Sequence, residues 1–321
     1  LMKNSHLKTK FDFSSFLSPY TNNKKEIQIG IIGLGGGCDI ISAWAVGEQC
    51  KKSTSCQVRI TLFNCKSHYR YNKDSSYKTF NDKTPHVFRL PTTDVAQLNP
   101  KSITYGSTLV SQSVPRQNHE SPLILGLPKN ITYKSDPQTI DEIAKELSTF
   151  KFDVVIGVDA GGDSATGGVD HSGDVETGRD RLMLRICREL HQIPFIHIIL
   201  GLCSDGESSF DLMNRFLISA GDDYLGCFPI QNSAVEDCFL KMNSKLAQTR
   251  TINIILNALK DNSETRQVQR GLSPIVPTTY LTHGYVFSSS VHLFGPKDFT
   301  KDDLMNVAKG RNAFFGDHIA T

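Results

Sequence analysis

Four short apolar runs constrain this chain more than any other feature: IQIGIIGL (27–34), QVRITLFN (57–64), FDVVIGVDA (152–160) and IPFIHIILG (193–201). Runs of this length, rich in Ile, Val and Phe, suit strands better than helices. The first is apolar on both faces, as a strand is when helices cover both sides of a parallel sheet. Amphipathic helical patterns stand between the runs. Asp136 and Pro137 offer a cap and a first-turn proline, after which Ile140, Ile143, Ala144 and Leu147 fall on one face. In RLMLRICREL (181–190), Leu182, Met183, Ile186, Cys187 and Leu190 do the same. Strand and helix in alternation predict an α/β fold with a doubly wound, mainly parallel sheet and helices on both faces.

Residues 1–25 are polar with scattered aromatics and read as an N-terminal arm; residues 26–321 read as a single α/β domain. Within it, 67–122 is rich in Tyr, Ser, Thr, Asn and Pro, shows little periodicity, and reads as a loop-rich insertion. Further helices are expected over 38–46, from Ser209, after Ser233 (with Glu236 as a capping box), over 251–261 and after Thr300, and a strand over YLGCFPI (224–230). The stretch LSPIVPTTYLTHGYVFSS (272–289) reads as irregular.

Composition narrows the function. With 39% hydrophobic and 21% charged residues in 321, the chain is of ordinary globular type. Its 35 basic and 33 acidic residues leave a formal charge of +2, with no pull toward nucleic acid or a membrane surface. No apolar run reaches transmembrane length, and the N-terminus lacks the apolar core of a signal peptide. The eight cysteines form no CxxC pair and have no histidine partners at zinc spacing, so reduced thiols and a cytoplasmic location are expected. A homo-oligomer is compatible with all of this.

The first run leads into GLGGGCDI, where Gly35, Gly36, Gly37, Cys38 and Asp39 open a helix. Converging amides and a helix dipole make such a loop a place for an anion. Neither common nucleotide fingerprint fits. The third position of G-x-G-x-x-G falls on Cys38, and the second strand ends in Asn64 and Cys65 rather than a ribose-holding carboxylate. No Gly-Lys-Ser/Thr follows either. The alternative is a tight strand-to-helix turn.

A second loop lies in VVIGVDAGGDSATGGVDHSGDVETGRDRLML (154–184). Asp159 closes the strand, Gly161, Gly162, Gly167 and Gly168 loosen the loop, and Asp163, Asp170, His171, Asp174 and Arg179 bring the chemistry. In a parallel sheet this loop, the glycine loop and GLCSDGESS with Asp205 share one edge. Crowded carboxylates push their pKa values apart and yield one acid and one base. Asp163, Asp170 and Asp174 are the catalytic candidates, with Arg179 to offset negative charge. Asp159, Gly161, Gly162, Gly167, Gly168, His171 and Asp205 join the glycine loop in binding. Oxygen donors at Asp163, Asp170 and Asp174 also suit magnesium, although no motif demands a cofactor. Asp180 reads as a helix cap or first-turn residue, and His197 as a core histidine.

Taken in order, GLGGGCDI, VVIGVDAGGDS, GLCSDGE, DYLG and GLSPI resemble the motifs of the uncharacterised family named domain of unknown function 1152. The resemblance runs from about Gly30 to Pro274 and departs from the family's pattern at Cys38, where another glycine is usual. It implies a Rossmann-like fold with a ligand site at the glycine motifs and carries no activity.

The expectation from these residues is an enzyme that binds a phosphorylated or nucleotide-like small molecule, of ADP-ribose type, and cleaves it hydrolytically. Carboxylates suit a glycosidic or ADP-ribosyl bond because they stabilise oxocarbenium character. The alternatives are an NAD(P)-dependent oxidoreductase and a non-catalytic nucleotide-binding sensor module.

Overall fold

The computed structural model describes residues 10–35, 37–67, 77–90, 105–113, 121–127, 137–166, 179–206, 210–248, 250–261, 263–268 and 275–288. An eight-stranded sheet runs in the order β3 (Val87–Arg89), β4 (Leu123–Leu127), β2 (Gln57–Ser67), β1 (Glu26–Gly33), β5 (Val154–Ala160), β6 (Phe195–Leu200), β10 (His283–Ser288), β7 (Tyr224–Pro229). The pairs β1–β2, β1–β5, β2–β4 and β5–β6 are parallel; β3 and β10 run against their neighbours. A separate hairpin pairs β8 (Thr265–Gln267) with β9 (Ile275–Pro277). The expected doubly wound, Rossmann-like α/β fold is present.

Helices cover both faces because the strands are apolar on both. On one side α2 (Asp39–Lys52), α7 (Ala234–Asn243) and α8 (Thr251–Leu259) pack over Ile27, Ile29, Ile31, Ile156 and Val158. The α2 helix is buried nearly all round, with Ile40, Ile41, Ala43, Trp44, Ala45 and Val46 inside. On the other side α4 (Pro137–Ser148) and α5 (Arg179–Arg188) cover Ile32, Leu125 and Val155. Around β6, β7 and β10, α6 (Phe210–Ala220) and α9 (Thr278–Leu281) enclose Ile199, Tyr285 and Phe287. Ser233 caps α7 by accepting from the Val235 and Glu236 amides. Glu236 reaches back to the Asn232 amide, one residue beyond the N-cap amide that a full capping box would engage.

Several elements differ from expectation. Part of the segment read as an arm folds onto the body: Phe13–Thr21 forms helix α1, and Phe11, Phe13 and Leu17 enter the core. Phe11 also donates its amide to the Cys227 carbonyl at 2.8 Å, so this segment covers the edge of β7. The segment 67–122 includes strand β3 and helix α3 (Tyr105–Ser113). Strand β4, and β10 in the stretch read as irregular, were not expected. The antiparallel β10 inserts between β6 and β7, a placement set by long-range pairing that local pattern does not encode. The expected helix after Thr300 lies outside the described residues.

Among the described residues, no helix is long and apolar enough to cross a membrane. None of the eight cysteines is in a disulfide, and burial pushes the thiol of Cys50 up to about 12.

Candidate functional site

The sheet winds outward from β1 through β2 and β4 on one side and from β5 through β6 on the other. The β1–β5 pair is therefore the switch point, and the crevice outside the carboxyl ends of those strands is where such sheets receive ligands. The three loops expected at this edge are tied together there. Leu34 donates its amide to the Val158 carbonyl at 3.0 Å, and Cys203 donates to the Gly161 carbonyl at 2.6 Å.

Asp39, the first residue of α2, binds both strands at once. Its Oδ2 accepts the Gly35 amide at 2.7 Å and its Oδ1 accepts the Ala160 amide at 3.2 Å. Two backbone donors and a helix N-terminus suit a charged carboxylate. Gly35, expected to hold a ligand's anion, gives its amide to the chain's own Asp39. A phosphate at Gly35 would also face like charge, a repulsion on the order of 4 kcal/mol for charges about 4 Å apart near a protein surface. Further out on the same loop, Gly37 has φ +62° and lies beside Arg250, 3.5 Å from where a Cβ would stand to Nη1. Cys38 is buried and precedes α2 without capping it through its side chain.

Asp159, at the end of β5, is 1% exposed. Its Oδ2 accepts from the Ser164 amide at 3.1 Å and from the Ser164 hydroxyl at 2.6 Å. Ser164 lies in the short 3-10 turn Asp163–Thr166, and its Oγ is also 2.8 Å from Nε2 of His197 on β6. Burial raises the Asp159 carboxyl to about 6, helped by the charge of Asp180 and opposed by the hydrogen bonds from Ser164 and Asp163. Burial pushes His197 down to about 3, so its ring is neutral. With Asp159 ionised, the serine proton points at the carboxylate and Nε2–H donates to the serine. With Asp159 protonated, the whole chain can reverse. The hydroxyl sits between carboxylate and imidazole, so this is not a Ser-His-Asp triad, in which the imidazole is central.

Asp180 in the first turn of α5 is 0% exposed, and neither carboxylate oxygen has a hydrogen-bond partner among the described residues. It sits against Gly35: a Cβ built there would be 2.3 Å from Asp180 Oδ1 and 2.7 Å from Asp39 Oδ2. The two carboxylate oxygens are no farther apart than the sum of those distances. Only a residue without a side chain leaves room for both.

Asp163 and Asp205 are each 7% exposed at the same edge. Gly161, with φ +123°, lets the Asp205 carboxyl pack on its Cα, since a Cβ would lie 2.3 Å from Asp205 Cγ. Gly162 follows with φ +119°.

The structure thus brings together Gly35, Asp39, Asp159, Gly161, Gly162, Asp163 and Asp205. Gly36, Gly167, Gly168, Asp170, His171 and Asp174 lie outside the described residues. Arg179 is the first residue of α5, and its side chain is likewise outside them. Two of the three magnesium candidates are therefore outside, and no group of three or more His, Cys, Asp or Glu among the described residues is arranged to hold a metal ion. Sequence reasoning missed Asp180, Ser164 and His197 as parts of one site. The signal available for Asp180 was a lone acid at a helix start, which reads as a cap.

Compared with protein-family models, curated proteins and solved structures, the chain has no match.

Proposed function

We propose that the chain is a hydrolytic enzyme for a phosphorylated or nucleotide-like small molecule, with the Asp159–Asp180 pair at its chemical centre. The observation that carries this reading is Asp180: a fully buried carboxylate with no hydrogen-bond donor among the described residues, beside a second carboxylate whose proton it helps to retain. Buried polar groups in native proteins are normally satisfied, and an exception asks for an explanation such as catalysis or a ligand. A carboxyl that burial keeps protonated beside a second carboxylate supplies an acid and a base from one residue type. In a glycosidic or ADP-ribosyl cleavage the ionised member stabilises positive charge at the sugar carbon and accepts the proton of the attacking water. Ser164 and His197 hold Asp159 in place and supply a path for its proton.

The phosphate end belongs on the outer part of the glycine loop, where Gly37 and Arg250 meet, rather than at Gly35. The oxidoreductase reading has less behind it, because Asn64, where β2 lies beside the end of β1, is no carboxylate and donates its side-chain amide to the Ser107 hydroxyl at 2.6 Å.

Asp159→Asn and Asp180→Asn test the proposal, with ADP-ribose, NAD and simple nucleotides as substrates. Each variant is expected to bind as well as the parent within a few fold and to turn over about 100-fold to 10,000-fold more slowly. Loss of binding without a turnover defect, or no hydrolysis of any of these by the parent, would count against it and favour a sensor module.

A further inference from the structure

We infer that His197 is a positioning residue: through Ser164 it fixes Asp159 Oδ2 as a hydrogen-bond acceptor and leaves Oδ1 as the oxygen on which that carboxyl carries its proton. This deepens the reading of Asp159 as an acid–base group, and its consequence for catalysis rests on that reading. The hydrogen bonds themselves carry the inference. Oδ2 accepts twice from Ser164, from the amide at 3.1 Å and from the hydroxyl at 2.6 Å. A backbone N–H cannot be turned away, so a proton on Oδ2 would meet that amide head-on. Oδ1 takes neither bond and receives no N–H or hydroxyl among the described residues. The titratable groups that act on this carboxyl are themselves carboxyls, Asp180 on α5 and Asp163 on the 3-10 turn, while Asp39 of α2 holds the amide of the next residue, Ala160.

The far end of the chain sets its direction. His197 Nε2 lies 2.8 Å from the same serine hydroxyl, and Nδ1 is buried with no hydrogen-bond partner among the described residues. Across the sheet His197 stands between Gly157 and Phe287, and the Phe287 ring is 5.8 Å away, centre to centre. Burial keeps the imidazole neutral, so one nitrogen carries its single proton. With Nε2–H, the ring donates to Ser164, Ser164 donates to Asp159, and only a lone pair is left over at Nδ1. With Nδ1–H, a buried donor is stranded, the serine must turn to Nε2, and Oδ2 loses its hydroxyl. A stranded buried donor is the rarer of the two in native proteins. The first arrangement is the resting one whether or not Asp159 is protonated, and the reversed chain is a passing state in proton transfer.

The test reads the protein alone, following the imidazole nitrogen resonances of His197 beside the carboxyl carbon of Asp159 by NMR. A range of about pH 4 to 8 spans the Asp159 value of about 6 and stays above the His197 value of about 3. The Nε2–H tautomer is expected throughout, unchanged as Asp159 titrates. An Nδ1–H ring anywhere in the range, or a switch of tautomer in step with the carboxyl, overturns the inference. Ser164→Ala removes the link between ring and carboxyl. Asp159 should then titrate about one pH unit higher, having lost a donor to its charged form. A midpoint unchanged from the parent also overturns the inference; if the variant does not fold, the parent spectra decide alone. The expected tautomer without turnover of ADP-ribose, NAD or simple nucleotides keeps the positioning chain and removes the hydrolase; turnover with a switching tautomer does the reverse.

Discussion

The carboxylate of Asp180 lies against Gly35 so closely that a Cβ at that glycine would stand 2.3 Å from Oδ1, with Asp39 Oδ2 at 2.7 Å on the other side. Both acids are buried and Asp39 is held by two amides, so neither can move aside cheaply. Gly35→Ala is therefore expected to destabilise the fold by about 1–3 kcal/mol, as overpacking of a tight interior does. Chemical denaturation of the single variant and of Gly35→Ala/Asp180→Ala checks this. The double variant should recover part of the loss, and a single variant as stable as the parent would show that the contact is soft.

Asp159 and His197 predict a compensation in pH dependence. Asp159 has its folded value raised from 3.8 to about 6, so its stabilisation is complete below the lower value and is lost as pH rises through the upper one. His197 has its folded value lowered from 6.5 to about 3, so its contribution is present above the former and is lost on acidification. Between about pH 4 and 6 the two slopes oppose each other at about 1.4 kcal/mol per pH unit each. Asp159→Asn should unmask the histidine, giving a protein that loses stability steadily as pH falls from 6 to 4. His197→Gln should unmask the opposite slope. Unfolding curves at several pH values decide it; parallel profiles for the parent and both variants would refute the opposed titrations.

Leu17 is fully buried under the N-terminal helix, and Phe13 meets Phe228 edge-on at 5.0 Å between ring centres. Leu17→Ala should cost about 2–5 kcal/mol, the range for a buried leucine whose cavity does not collapse. A melting temperature unchanged from the parent would mean that α1 is only loosely laid on the body.

Much of the fold was legible in local pattern. The runs at 27–34, 152–160 and 193–201 became β1, β5 and β6 within a residue or two, because residues buried on both faces leave a continuous apolar signal. The capping of α7 by Ser233 was also local, since donor and acceptor sit within three residues. Strand β10 was not legible, because its six residues gain their hydrogen bonds from β6 and β7, both far away in the chain. The docking of the N-terminal helix was hidden for the same reason: Phe11, Phe13 and Leu17 look like scattered aromatics and aliphatics until β7 is beside them.

For the candidate site the division is sharper. Periodicity and glycine placement by themselves determined that two loops would face one edge of a parallel sheet, and that one of them would be acidic. Only the tertiary structure decided which acid stands where. Asp180 becomes a carboxylate without a hydrogen-bond partner among the described residues because α5 carries it onto a glycine from the first loop, and His197 becomes a partner of Ser164 because β6 lies beside β5. Strand and helix follow from short-range burial patterns, whereas charge inside a crevice depends on which distant groups share it.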